Sequence, residues 1–248
     1  MIYDFDSASQ SNETVLSSIE IIEDRSQRKY SSTYYGTVQN KPLEFNLVFG
    51  KSIENNSSLT PLTRAEIESV SAWLTSINGY RWLEVQQPDL ENIRYKCNIT
   101  ELKLGSVSWN PIVFICKVVC DSQFAYMYPE ETVYEVDGEE TFTFDNKSSY
   151  SGFYHPKLEI APSVTNRNVS IVNISNNNRE TLFTSIPGSV ETIYIDGENG
   201  IITNSADLNL YDNFNFKFLR LKRGNNIIKI SGKCTVKLLC EFPISVGA

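Results

Sequence analysis

Histidine is all but missing from this chain: 248 residues contain one, His155. That excludes a two-histidine metal site and a histidine proton relay. A cationic excess is missing too, since 22 Lys and Arg face 30 Asp and Glu for a net charge of −8. Affinity for a phosphate backbone comes mainly from displaced counterions, so a chain this acidic is not a general nucleic-acid binder. Long apolar runs are also lacking. The longest, Ile112 to Cys116 and Phe124 to Tyr128, are five residues, against the ~20 that a membrane-spanning helix needs. The opening Met1-Ile2-Tyr3-Asp4-Phe5-Asp6 has neither the basic start nor the apolar stretch of a secretory signal, so no membrane role is expected.

Cysteine is sparse and odd in number: Cys97, Cys116, Cys120, Cys234 and Cys240, with no Cys-X-X-Cys pair. Such a scatter is unlike a disulfide framework and fits synthesis in a reducing cytoplasm, the thiols acting as small buried side chains. Catalytic groupings are equally thin. The carboxylate pairs Asp4/Asp6, Glu66/Glu68 and Glu139/Glu140 read as exposed, whereas a glycosidase needs two carboxylates fixed across a cleft. His155 reads as a turn histidine rather than as the base for a cysteine nucleophile. Gly197-Glu198-Asn199-Gly200 lacks the lysine and the following helix that a phosphate cradle requires. No catalytic, cofactor-binding or metal-ligating residue is assigned, and no enzyme activity is expected.

What is present is a core. With 41% apolar and 12% aromatic residues the chain can fold, and its length allows two domains. One segment reads as a helix, 64–77, where Ile67, Val70, Trp73, Leu74 and Ile77 recur at three- and four-residue steps. Thr63 with Glu66 forms a capping box and Asn78-Gly79 supplies the stop. Strands are expected over Leu43 to Phe49, Tyr80 to Gln86, Ile93 to Leu104 and Val113 to Cys120. The last two fold about the turn-rich segment 105–111, which brings Cys97 near Cys116 or Cys120. Residues 20–40 read as irregular strand with a long projecting loop, and Asn55 to Ser58 as an exposed loop.

A boundary falls near 126–132, giving a first domain of 1–130 and a second of 131–248. Beyond it the helical period disappears. Asp137-Gly138 reads as a hairpin turn. Short strands over Thr141 to Phe144, Lys157 to Ile160, Asn168 to Ile174, Leu182 to Ile186, Glu191 to Ile195 and Ile201 to Thr203 imply a β-sandwich or barrel. Phe216 to Arg223 is expected to lead through a Gly224-Asn225-Asn226 turn into Ile227 to Ile230. In the closing strand Cys234, Val236, Leu238, Cys240 and Phe242 share one face. Charge is segregated here. Residues 131–145 carry Glu131, Glu135, Asp137, Glu139, Glu140 and Asp145 without a base. Residues 213–240 carry Lys217, Arg220, Lys222, Arg223, Lys229, Lys233 and Lys237 without an acid. The two runs either pair within the domain or meet a neighbouring subunit or partner.

Sugar binding is the main alternative to a purely structural role, because sandwiches often stack sugar rings on exposed aromatics. Trp73 and Trp82 read as core, Trp109 lies in the same first domain, and the second has Tyr134, Tyr150, Tyr154, Tyr194 and Tyr211 but no Trp.

The order of elements resembles a known family. Ala72-Trp73-Leu74 on the capped helix, then Tyr80-Arg81-Trp82-Leu83, then a long hairpin ending Cys120-Asp121-Ser122-Gln123-Phe124-Ala125-Tyr126, is similar to the distal tail proteins of long-tailed siphophages. Residues 154–160, Glu191 to Asp196, Asn199 to Thr203 and Leu221 to Ile228 are similar to the galectin-like C-terminal domain of that family. The resemblance implies a mainly β, two-domain fold: a β-sandwich or sheet with one helix, then a galectin-like β-sandwich. It implies a virion structural protein made in the bacterial host cytoplasm, which closes a homohexameric ring through its first domain as a baseplate or tail-tip hub. Its partners would be the tail tube protein and tail-associated or receptor-binding baseplate proteins, with weak carbohydrate binding in host-surface recognition as the alternative. DNA would be passing cargo only. Both domains are acidic, which suits a conduit that must not hold the duplex.

Overall fold

The computed structural model describes residues 20–24, 33–38, 41–52, 59–76, 78–86, 90–163 and 167–246. The chain divides into two compact units, Met1–Ala125 with Ser245–Ala248, and Tyr126–Ile244. Asp4/Asp6, Ile77, the Asn55 to Ser58 loop and the loop expected within 20–40 lie outside the described residues.

In the first unit β1 (Glu20–Asp24) pairs antiparallel with β2 (Thr33–Val38), the register slipping between Ile22 and Glu23. The main sheet comes from β3 (Glu44–Ser52), β4 (Leu59–Thr60), β5 (Arg81–Glu84), β6 (Ile93–Val107) and β7 (Asn110–Cys120). Its order runs β6-β7-β3-β4, with β5 alongside β6, and every pairing is antiparallel. The single helix α1 (Arg64–Thr75) starts at the capping box read from the sequence. The Glu66 N–H donates to Thr63 Oγ1, and the Thr63 N–H donates to the Glu66 carboxylate at 2.8 Å. Leu62 and Leu74 are buried with Phe114 and Cys116, and Ile67, Val70, Leu47, Phe49, Ile99 and Leu102 pack around them. Burying one such leucine stabilises by roughly 1.5–3 kcal/mol, so this contact holds the helix on the sheet.

Two expectations about tryptophan fail. Trp73 is 67% exposed and Trp82 41% exposed. The buried stripe of α1 is Ile67, Val70 and Leu74, and a residue one step before Leu74 is rotated about 100° around the axis, off the stripe. Trp82 stands on the short strand β5, where the Arg94 guanidinium covers its ring at 3.8 Å. The hairpin turn is also tighter than expected. Strand pairing continues through Gly105 to Val107 opposite Asn110, and only Ser108 and Trp109 turn, both left-handed at φ 50° and 69°. Two left-handed residues match the right-handed twist of the flanking strands.

The second unit follows the short strand β8 (Ala125–Met127). It contains β9 (Glu130–Asn146), β10 (Lys157–Pro162), β11 (Val169–Asn173), β12 (Arg179–Phe183), β13 (Ile193–Asp196), β14 (Ile201–Asn204), β15 (Gly224–Cys240) and β16 (Pro243–Ile244). Its spine is the ribbon of β9 and β15, paired without a register break from Gly224↔Asn146 to Cys240↔Glu130. On the other flank of β15, β10 pairs with residues 234–239 and β11 with residues 228–231. From there β13 and β14 extend one half, and β12 the other. Both halves bury side chains in one apolar cluster that includes Leu158, Ile160, Ile171, Phe183, Ile230, Val236 and Leu238.

The halves divide at Gly138 and Gly232, which face each other with φ 112° and 131°. Asp137-Gly138 is therefore no hairpin turn. It is a point where a continuous strand takes a conformation that other residues resist. Phe216 to Arg223 is likewise no strand, and Gly224 to Asn226 opens β15 instead of turning into it. The closing face behaves as read: Cys234, Val236, Leu238, Cys240 and Phe242 are all buried.

Candidate functional site

Several of the groups weighed for catalysis hold structural contacts. Glu66 sits in the helix cap and accepts from Lys51 Nζ at 2.6 Å, which holds its carboxyl down at about 2. Glu68 pairs with Arg64 on the same helix. Glu139 accepts from Lys229 and Ser231 across the ribbon. All five cysteines are buried and free, and Cys97 stands opposite Cys120 in the β6–β7 register. Desolvation pushes their thiols up, to about 11 at Cys97, Cys116 and Cys234 and about 12 at Cys120 and Cys240. Thiolate character is thereby suppressed. Among the described residues no cluster of His, Cys, Asp or Glu could hold a metal ion.

The segregated charges are partly resolved by the ribbon. Outward-facing Lys229, Lys233 and Lys237 pair with Glu139, Asp137 and Glu131 at 3.3, 2.7 and 3.5 Å. The other half of the basic run, Lys217, Arg220, Lys222 and Arg223, has no carboxylate partner among the described residues. It lies on a strandless segment that side chains pin in place. Asn226 Nδ2 donates to the Lys222 and Gly224 carbonyls, and Asn226 Oδ1 accepts from the Lys222 N–H. Asn173 Nδ2 donates to the Arg220 carbonyl at 2.8 Å, and Asn146 Nδ2 to that of Lys222 at 3.1 Å. Asn215 bonds one edge of β12, donating to the Glu180 carbonyl and accepting from the Leu182 N–H. Buried amides thus do for this segment what a strand ladder does elsewhere. The Asn clusters in the sequence were the available signal, but a turn and a pinning amide use the same residue type.

His155 faces this segment. Tyr154 and Leu221 form an isolated antiparallel bridge and point into the core, where Leu221 is fully buried. The next pair along, His155 and Arg220, therefore lies on the opposite face, together with Phe153. The Arg220 guanidinium lies 4.0 Å over the Phe153 ring. Arg179 Nε donates to the Phe218 carbonyl at 3.0 Å. His155 Nδ1 and Arg220 Nε are buried without a hydrogen-bond partner. Desolvation, then Arg179 and Arg220, lower the His155 pKa, with Glu198 and the Leu219 backbone acting the other way. Arg179 is itself shifted down by desolvation and by Arg220.

The first unit has a different surface. Its tryptophans are all exposed, Trp109 at 98% on the β6–β7 tip beside Val107 and Leu104. Trp73 and Tyr80 are exposed as well. Aromatics of this kind are over-represented where proteins bury themselves against other proteins.

Residues 1–122 match the family model of the phage tail protein N-terminal domain, and residues 124–240 match that of the phage tail C-terminal domain. The chain belongs to the phage tail proteins. A phage tail protein is a component of the virion. The crystal structure of the SPP1 Dit protein, described as a paradigm of the hub adsorption apparatus in phages infecting Gram-positive hosts, is similar in fold. It matches with a TM-score of 0.67 at 11% identity, covering 93% of this chain and 91% of that one. Two structures of the phage P2 baseplate in its activated conformation, with calcium and with strontium, also align. Each gives a TM-score of 0.47, at 12% and 13% identity, covering 89% and 90% of this chain and 86% and 87% of theirs. No curated protein matches the phage tail protein. The phage-tail family read from the sequence thus holds, and the fold is similar to that of a Dit protein.

Proposed function

We propose that this phage tail protein is the distal hub of a long-tailed phage, closing a homohexameric ring through residues 1–130. The ring joins the tail tube to the host-adsorption apparatus, and residues 131–248 act as a galectin-like arm that carries tail-associated or receptor-binding baseplate proteins. The observation that carries this reading is the match of both halves of the chain to phage tail domain models. The fold of the SPP1 Dit protein supports it.

The exposed tryptophans of the first unit give it a physical basis. A monomeric protein rarely leaves Trp73, Tyr80, Trp82 and Trp109 all in water. Ring closure covers two unlike faces of every subunit, which gives such residues a place to be buried. The acidic balance of the chain suits a lumen that passes DNA without retaining it.

Native mass spectrometry of the purified chain tests the assembly, with a hexamer the expected species. Trp109→Ser and Trp73→Ser are each expected to weaken assembly by tenfold or more, since a buried aromatic anchor is worth about 2 kcal/mol or above. Monomers at every concentration, with no rings in negative-stain images, would overturn the ring.

A further inference from the structure

We propose that Arg179, Arg220 and His155 form a binding site for an anionic oxygen group, a carboxylate or a phosphate, on the second unit. Nothing in a structural hub requires such a site, and it is independent of ring formation because every residue in it belongs to one unit.

Three observations carry it. The first is charge without compensation. The ribbon carboxylates neutralise Lys229, Lys233 and Lys237, yet Arg179 and Arg220, close enough to act on each other, pair with no carboxylate among the described residues. Two guanidiniums held together repel, and an anion between them removes the penalty. Glu198 acts on His155 against the two arginines.

The second is unused hydrogen-bonding capacity. His155 Nδ1 and Arg220 Nε are buried without partners, as are Asn173 Oδ1, Asn176 Nδ2 and Thr181 Oγ1 elsewhere in the unit. Buried polar atoms left unmatched at one spot point to an acceptor that completes them. Arg179 donates within the protein through Nε, which leaves its outer fork free, while the His155 ring also bonds the Leu219 backbone. An arginine fork matches the two oxygens of a carboxylate or phosphate.

The third is rigidity. The platform is fixed by Asn173 and Asn226 at the Arg220 to Gly224 backbone. The Phe153 ring fixes the plane of the Arg220 guanidinium, so little ordering remains to be done on binding. Facing them, the Gly197 turn lacks a side chain. A Cβ there would stand 3.5 Å from His155 Cβ and 3.6 Å from both His155 Nδ1 and Phe218 Cβ, in ordinary van der Waals contact, so the Gly197 backbone packs closely against the imidazole and helps to hold it.

The single histidine makes the test clean, because the chain has one imidazole signal. The purified full-length protein is titrated at constant ionic strength with inorganic phosphate, with glucuronate, and with glucose as the neutral control. The His155 side-chain resonances and the Leu219 and Arg220 amides are followed by NMR. Saturable shifts with phosphate or glucuronate, but not glucose, are expected, and the tighter of the two identifies the phosphate or acidic-sugar source. Arg220→Gln and Arg179→Gln should each weaken binding by roughly tenfold or more, while Lys237→Gln on the ribbon leaves it unchanged. The His155 pKa should rise on saturation. Arg179 and Arg220 lower the pKa and Glu198 raises it, so an added anion shifts the balance toward the protonated form. Non-saturable shifts, equal shifts with glucose, or unchanged affinity in both arginine variants would overturn the site.

Discussion

Glu66 shows how much one surface residue can be asked to do. Its carboxylate accepts from Lys51 and from the Thr63 N–H and hydroxyl, so its folded-state pKa, about 2, lies below the ordinary carboxylate value. The linkage has one sign: the stability it lends is complete above the ordinary range and drains away as pH falls toward about 2. Glu66→Gln should therefore lower the thermal midpoint of the first unit near neutral pH, with the gap to wild type closing under acid. Thr63→Ala should cost about 1 kcal/mol through the same cap, measured by denaturant unfolding. The thiols give a contrary expectation. Buried and pushed up by desolvation, all five should resist a thiol reagent at neutral pH and react only once the chain is unfolded. The capping box was legible because it is local, and the outward turn of Trp73 was not. A helix pattern names the residues near a stripe but not its edge, and the edge is set by the sheet beneath.

The long ribbon sets the behaviour of the second unit at the scale of elements. Gly138 and Gly232 face each other with positive φ, yet their surroundings differ. A Cβ on Gly232 would meet the Asn168 carbonyl at 2.5 Å, whereas one on Gly138 meets nothing within 4 Å. Gly138→Ala should cost about 1–2 kcal/mol from backbone strain alone, and Gly232→Ala clearly more, since the backbone of Asn168 must also move. Denaturant unfolding of the two variants separates strain from clash. The ion pairs along the ribbon are exposed and worth at most about 1 kcal/mol each, so their main effect is to fix which residues face one another. Opposite charge on residues 131–145 and 213–240 was visible in the sequence, and pairing within the domain was one of its readings. Which cations would stay unpaired was not visible, because Asp-Gly and Gly-Asn-Asn look like turns. Gly138 instead bends a strand, while Asn226 spends its amide on neighbouring backbone.

At the scale of the molecule, a mainly β chain with one helix and two units was readable from periodicity and turn residues. The order of elements carried the likeness to distal tail proteins. Surface character was harder to read, since tryptophans that pattern as core in a lone chain serve equally as the buried faces of an assembly. The first unit presents aromatic residues suited to neighbouring subunits, and the second presents a rigid cationic platform on an otherwise acidic protein. The most direct test is electron microscopy of purified phage particles with a labelled antibody against this chain. The hub reading predicts label confined to the distal end of the tail tube, on a ring of hexameric symmetry. Label along the tube shaft or at the capsid end, or a ring of different symmetry, would contradict it.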